Sequence, residues 1–424
     1  CLIRSKFARE PRPILVNNWE ATFFDFDEAK LLKLADKAQE AGIELFVLDD
    51  GWFGHRDADN SSLGDWFVDR RKLPHGLSEL AKEIHKRGMK FGLWFEPEMT
   101  NKDSDLYRAH PDWILHTPGR NASHGRYQYV LDFSRKEVVE YIYEMMAKIL
   151  SEAKVSYIKW DMNRSITECY SVALPADRQG EVFHRYILGV YDLYERLTSE
   201  FPEVLFESCS SGGGRFDPGM LYYAPQGWTS DDSDAIERLK IQYGTSLCYP
   251  ISSMGSHVSV IPNHQVFRKT PLHTRANVAY FGTFGYELDL NSLKEEEIAE
   301  VKEQIIFMKK YRKLFQFGDF YRLKSPFEGN ETIWMVVSED KKTAIVGYYR
   351  TLNGVNQAYS RIKLQGLDPD MLYENILNKT ENYGDELMNF GLITTDVTAG
   401  EVPGDATPCT DFESRIYILK AKEK

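Results

Sequence analysis

Between about residue 13 and residue 315, short apolar runs alternate with helical patterns, and this alternation constrains the fold more than any other feature of the chain. The first unit reads Ile14-Leu15-Val16 as a strand. Asp27 follows as a helix N-cap, Leu31, Leu34, Ala35 and Ala38 share one helical face, and Gly42 closes the helix. The pattern recurs with a strand at 45–48, a helix face of Leu77, Leu80, Ala81 and Ile84 stopped by Gly88, and strands at 91–95, 155–160 and 204–206. Weaker strands are predicted at 227–229, 251–254 and 281–288, which makes eight. A closing helix is predicted to open on Ser292 and Glu295 as a capping box and to carry Ile298, Val301, Ile305 and Met308 inward. Eight βα units in about 300 residues favour a (β/α)8 TIM barrel, and no GxGxxG follows any strand to favour a doubly wound sheet. Beyond residue 325 the texture changes to short alternating runs between Gly, Asn, Asp and Pro turns. The expectation is a catalytic barrel over 1–320 and a small C-terminal antiparallel β-sandwich domain over 321–424.

In such a barrel, chemistry sits where strands end. Strand two ends in Asp49-Asp50, strand three in Trp94 followed by Glu96 and Glu98, and strand four in Lys159-Trp160-Asp161-Met162-Asn163. Strand five ends in Glu207-Ser208-Cys209 and strand six in Ser230-Asp231-Asp232-Ser233-Asp234. Carboxylates and tryptophans at one mouth suit a carbohydrate, whose hydroxyl groups need polar partners and whose ring needs an apolar wall. Two opposed carboxyl groups are the minimal apparatus for cleaving a glycosidic bond. Competing readings are weaker. Asp57-Ala58-Asp59-Asn60 lacks the Gly and distal Glu of a calcium loop, and the ten histidines show neither HxH nor HExxH. Gly212-Gly213-Gly214 lacks the frame of a phosphate-binding loop, and no His neighbours Cys209 or Ser230 to activate a nucleophile. No metal or other cofactor is expected.

Net charge and cysteine usage narrow the partners. A formal charge of −12 disfavours nucleic acid, and no run of 18 apolar residues exists to span a bilayer. Five widely spaced cysteines (Cys1, Cys169, Cys209, Cys248 and Cys409) without a CxxC fit a reducing, cytoplasmic setting. A glycosylation sequon at Asn163, inside a strand-end motif, argues the same way. A chain that opens on Cys1 reads as a piece of a longer protein.

Five ordered motifs carry a family resemblance: Leu48-Asp49-Asp50-Gly51-Trp52, Trp94-Phe95-Glu96-Pro97-Glu98-Met99, Tyr157-Ile158-Lys159-Trp160-Asp161-Met162-Asn163, the run from Glu207 to Asp217, and Trp228-Thr229-Ser230-Asp231. Together they resemble the α-galactosidases of glycoside hydrolase family 36. The resemblance covers nearly the whole chain and implies a (β/α)8 barrel and a C-terminal β-domain, while the family's N-terminal β-sandwich has no counterpart here. It implies a retaining α-galactosidase acting on terminal α-galactosyl residues of raffinose or melibiose type. α-N-acetylgalactosaminidase, α-galactosyltransferase and a non-catalytic sugar-binding fragment are the alternatives. It implies Asp161 as nucleophile and Asp231 as general acid/base, and a homo-oligomer, tetrameric in the full-length family. Asp49 and Asp50 are expected to accept from the 4- and 6-hydroxyls, Trp94 to pack on the sugar, and Lys159, Arg126 and Asn163 to donate to hydroxyls. By the same resemblance Cys209 and Gly212 are expected to face the 2-position, and Trp160 completes the expected substrate-binding set. Two departures stand out: Ser211 where the family has glycine, and Asp232 where many members have Asn. Lys159, on the same strand face, is expected to lower the pKa of Asp161 as a nearby positive charge, and Asp232 and Asp234 to raise the pKa of Asp231 by like-charge crowding.

Overall fold

The structure is a computed structural model that describes residues 3–4, 6–354, 360–394 and 411–422. Cys1 and Cys409 lie outside them. Eight parallel strands form a closed barrel in sequential order: β1 (Leu15–Asn17), β2 (Leu45–Leu48), β3 (Lys90–Phe95), β4 (Tyr157–Trp160), β5 (Leu205–Ser208), β6 (Gln226–Trp228), β7 (Met254–Ser259) and β8 (Thr283–Glu287). Nearly every residue of these strands is buried, as expected of strands packed on both faces. The first helix, α1 (Glu28–Ala41), forms as its sequence predicts. The Asp27 side chain accepts from the Lys30 N–H, Leu31, Leu34, Ala35 and Ala38 are buried, and Gly42 at φ +89° closes the last turn.

Two local expectations shift. The seventh strand begins where it was expected to end: Ile251–Ser253 is a 3-10 turn, and β7 runs from Met254 to Ser259. Serines on a buried strand hide its apolar period. Ser256 reconciles burial with polarity by donating to Gln242 at 2.9 Å. The last barrel helix, α2 (Glu295–Phe317), starts after Ser292 has already closed the turn Leu290–Ser292, and the Glu297 carboxylate accepts from the Lys294 N–H at 2.9 Å.

Compactness divides the chain into Cys1–Asp231 with Tyr286–Ile298, and Asp232–Gly285 with Ala299–Lys424. The second unit holds a six-stranded antiparallel sheet of β9 (Asp319–Lys324), β10 (Glu331–Val337), β11 (Thr343–Arg350), β12 (Leu372–Asn375), β13 (Glu381–Tyr383) and β14 (Glu413–Ala421), ordered β9-β10-β11-β14-β12-β13. Its apolar face, with Ile333, Met335, Val346 and Tyr417, packs with Ile362 and Leu392 from a two-stranded ladder, so the second layer is smaller than a full sandwich. Strand order thus changes character at Asp319, beside the expected boundary, whereas packing changes earlier. The Tyr349 hydroxyl donates to Asn277 O at 2.6 Å and Thr274 shares a hydrogen bond with Ser414 at 2.9 Å, joining late barrel segments to this sheet. Among the described residues no helix is long and apolar enough to cross a membrane.

Candidate active site

Several buried carboxyl groups of the first compact unit gather at the C-terminal ends of the barrel strands. Asp49 and Asp50 follow β2. Asp49 Oδ2 accepts from Asn17 Nδ2 at 2.6 Å and from Lys159 Nζ at 2.8 Å, and Asp50 is held by the Arg56 guanidinium, Nε at 2.5 Å and Nη2 at 2.8 Å. Burial raises the pKa of Asp50; Arg56 opposes that effect, and Asp49 and Asp161 add to it. Asp161 follows β4. Its Oδ2 accepts from Trp94 Nε1 at 3.1 Å and Asn163 Nδ2 at 2.8 Å, and its Oδ1 from the Met162 N–H at 2.8 Å. Three donors around one carboxyl suit a carboxylate.

Lys159 shares the face of Asp161 as a nearby positive charge, and its hydrogen bond goes to Asp49. Burial works to lower its pKa, yet Asp49 and then Glu287 and Asp161 outweigh burial and raise it, so the ammonium stays charged. Alternation along β4 explains its neighbour. Lys159 and Asp161 project inward, so Trp160 projects outward, where it is 0% exposed, stacks on Tyr194 at 4.0 Å and donates to Glu98 at 2.8 Å. Trp160 therefore belongs to the packing of the barrel wall and not to a substrate surface. Trp94 also departs from its expected role. It is 2% exposed and its ring stacks on Phe53, so it serves Asp161 as a donor and offers little face to a sugar.

Asp231 follows β6. Its pKa is raised to about 6, first by burial and next by the negative charge of Asp161; Lys159 opposes, Glu287 adds, and Arg126 opposes. The expected crowding by Asp232 and Asp234 is not the cause. Asp232 accepts from the Asp234 N–H at 3.0 Å, and the Asp234 carboxylate caps the helix Ala235–Ser246 and pairs with Arg268. The Asp231 backbone is seated by the glycine loop after β5. Gly212, at φ +80°, lies so close to Ser230 and Asp231 that a Cβ there would come within 2.5 Å of Ser230 Cα and 2.6 Å of Asp231 N. Ser211 occupies a left-handed conformation at φ 45° and donates to Asn163 at 3.1 Å, so it ties this loop to the one after Asp161. Cys209 is buried, and burial followed by Asp161 pushes its thiol pKa well up, which keeps it neutral. Arg126 is exposed on a turn, with its charge reaching Asp231.

Several residues of this site escaped the sequence reading. Asn17 and Glu287 end β1 and β8, and the strand-end rule applied to those two strands finds them. Arg56 lies in a loop with no periodic signal. Glu96 was visible at a strand end but had no assigned part. Its carboxyl accepts from the Asn163 N–H and from Gln128 Nε2 at 3.1 Å, and burial, reinforced by Asp161, raises its pKa to about 8. A carboxyl raised in this way stabilises the fold fully below its unfolded value and loses that contribution as pH rises through about 8. Glu96→Gln is therefore expected to melt higher than the unaltered chain at pH 8, by a margin that vanishes below pH ~4.5. Thermal melts across that range would reject this account if the margin were constant.

Comparison with known proteins places this geometry. The Melibiase family model matches residues 1–318, and the Glycosyl hydrolase family 36 C-terminal domain model matches residues 331–419. Alpha-galactosidase AgaA of Geobacillus stearothermophilus is 58% identical over 100% of this chain and 56% of its own length. Alpha-galactosidase Mel36A of Lactobacillus acidophilus is 52% identical over 99% of this chain and 56% of its own. A crystal structure of an AgaA variant in complex with raffinose superposes with a TM-score of 0.94 at 54% identity, covering 99% of this chain and 57% of that one. The chain spans about half the length of the relatives it matches. Since the likeness runs through the barrel and on through the C-terminal sheet, the chain belongs to the melibiases of glycosyl hydrolase family 36.

Proposed function

We propose that residues 1–320 form the catalytic barrel of a retaining α-galactosidase. In this reading the Asp161 carboxylate bonds to the anomeric carbon as the bond to the leaving oxygen breaks, and Asp231 gives that oxygen its proton. Water then attacks the galactosyl-aspartyl ester, Asp231 takes the water's proton, and the ester's electron pair returns to Asp161. Two inversions leave the anomeric configuration unchanged. The observation that carries the proposal is the contrast between two carboxyls of one site. Asp161 is ringed by three donors, while Asp231 is raised to about 6 by burial and by Asp161 itself. The raffinose bound to the relative points to α-galactosyl oligosaccharides as substrates. Asp49 and Asp50 are the acceptors for the 4- and 6-hydroxyls, and a substrate lacking a matching donor loses about 1–3 kcal/mol or more. A cytoplasmic homo-oligomer completes the reading.

The test is turnover of an aryl α-galactoside followed by NMR. The first product is expected to be α-galactose, with kcat/KM falling as pH rises through about 6, where Asp231 loses its proton. Because burial and Asp161 set that value, Asp232→Asn should leave the falling limb in place. No turnover, or β-galactose as first product, sinks the proposal, and a limb that moves with Asp232 sinks the account of the acid.

A further inference from the structure

A turn of unfavourable backbone geometry is fastened to this site. In Gly125-Arg126-Tyr127-Gln128 the Gln128 N–H bonds Gly125 O at 2.9 Å, and the two central residues have φ values of 50° and 59°. Both central positions of such a turn favour Asn and Gly, because a Cβ in the left-handed region costs about 1–2 kcal/mol per residue. Arg and Tyr are poor choices there, and strain of this kind persists only where the surroundings over-determine it. They do so here. Arg164, three residues after Asp161, donates through Nη2 to Ser123 O at 2.8 Å and to Ser123 Oγ at 3.0 Å. Asn101 donates to Tyr127 O at 2.9 Å while accepting from Arg56, the partner of Asp50, at 3.3 Å. At the base of the turn, Gln128 donates to Glu96. The turn is thus fastened to the loops that carry Asp161 and Asp50.

The strained pair differ in where their side chains go. Arg126 presents its charge to Asp231. Tyr127 is 58% exposed, and its ring lies nearly parallel to that of His124 (centroids 6.3 Å apart, planes 13° apart), so much of the aromatic surface is open. In the reading proposed above, the group beside the acid/base is the departing sugar. Trp94 and Trp160, the tryptophans at the ends of β3 and β4, are too buried to offer that sugar a wall.

Resting on that reading, we infer that Tyr127 is a specificity-determining residue, an aromatic platform for the leaving-group sugar of an α-galactosyl oligosaccharide, held over the acid/base by the strained turn. An aromatic-sugar contact of this sort is worth about tenfold in kcat/KM. The experiment compares raffinose with α-galactosyl fluoride, whose leaving group has no ring to stack. In Tyr127→Ala the ratio of kcat/KM for raffinose to that for the fluoride should fall about tenfold, chiefly through KM for raffinose, and Tyr127→Phe should restore it. An unchanged ratio overturns the inference, even when both rates drop, because a turn that only shapes the site affects the two substrates alike. If the unaltered protein turns over neither compound, the glycosidase reading fails and the inference falls with it.

Discussion

Asp161→Ala is expected to lower kcat on an aryl α-galactoside by about 10³-fold or more, and azide to restore turnover with β-galactosyl azide as product. Removing the carboxylate leaves Trp94 Nε1, Asn163 Nδ2 and the Met162 N–H pointing at a space the size of a small anion, with the charged Lys159 nearby. Azide entering there attacks the anomeric carbon from the face that Asp161 used, so the configuration inverts. Asp231→Ala behaves differently. The ester on Asp161 still forms when the leaving group needs little protonation, and azide then attacks it from the opposite face to give the α-azide. The rate loss in Asp231→Ala should therefore shrink with better leaving groups, while that in Asp161→Ala should not. NMR of the two azide products decides the assignment: the α-azide from Asp161→Ala with the β-azide from Asp231→Ala means that the roles are reversed, and the same anomer from both means that the pair does not hold them.

The parts of this site that were legible in the sequence are those where a strand end fixes direction. Asp49, Asp50, Asp161 and Asp231 each follow a buried strand, and a barrel forces such positions onto one mouth. The eight-unit fold was legible because the helical period of α1 and the unbroken apolar run of β2 show plainly. Legibility fails where polar residues are buried inside a strand, as in β7, whose Met254-Gly255-Ser256 start carries no apolar signature. It also fails for side-chain partners. Period two along β4 puts Lys159 and Asp161 on one face, but it does not reveal that the ammonium turns to Asp49, and the same period would have sent Trp160 to the outer face had it been applied. The causes of pKa shifts are hidden too. Asp232 and Asp234 are near Asp231 in sequence, whereas Asp161, 70 residues away, is what raises it after burial. Proximity along a chain is a poor guide to fields inside a barrel mouth. Arg56 and the turn at Arg126 and Tyr127 show the limit most clearly: they lie in excursions between strands, where neither period nor cap constrains them.

Arg56 carries the second large expected effect, and it falls on stability as well as on catalysis. The guanidinium is fully buried, grips both oxygens of Asp50, and reaches Ser61 O at 2.7 Å and Asn101 at 3.3 Å. Arg56→Met keeps the aliphatic bulk and leaves Asp50 as a buried carboxyl without its counter-charge, which costs about 3–5 kcal/mol. Burial already raises the pKa of Asp50 and Arg56 opposes that effect, so deleting the arginine raises it further. A folded-state carboxyl pKa raised above its unfolded value loses stability as pH rises. The deficit of Arg56→Met should therefore be smaller at pH 5 than at pH 8. Asp50→Asn removes the charge that needs a partner, so the double variant Asp50→Asn, Arg56→Met should melt closer to the unaltered chain than Arg56→Met alone, a coupling that a double-mutant cycle reads directly. On the proposal that Asp49 and Asp50 together accept from the sugar's 4- and 6-hydroxyls, activity should not return with stability, because an amide at position 50 has one acceptor oxygen where the carboxylate has two, and kcat/KM should stay at least about 100-fold down. Thermal melts at the two pH values, paired with kinetics on an aryl α-galactoside, separate the two parts of the claim. Additive losses in the cycle would mean that Arg56 supports the loop through Ser61 and Asn101 alone, and that Asp50 holds its position in the site without it.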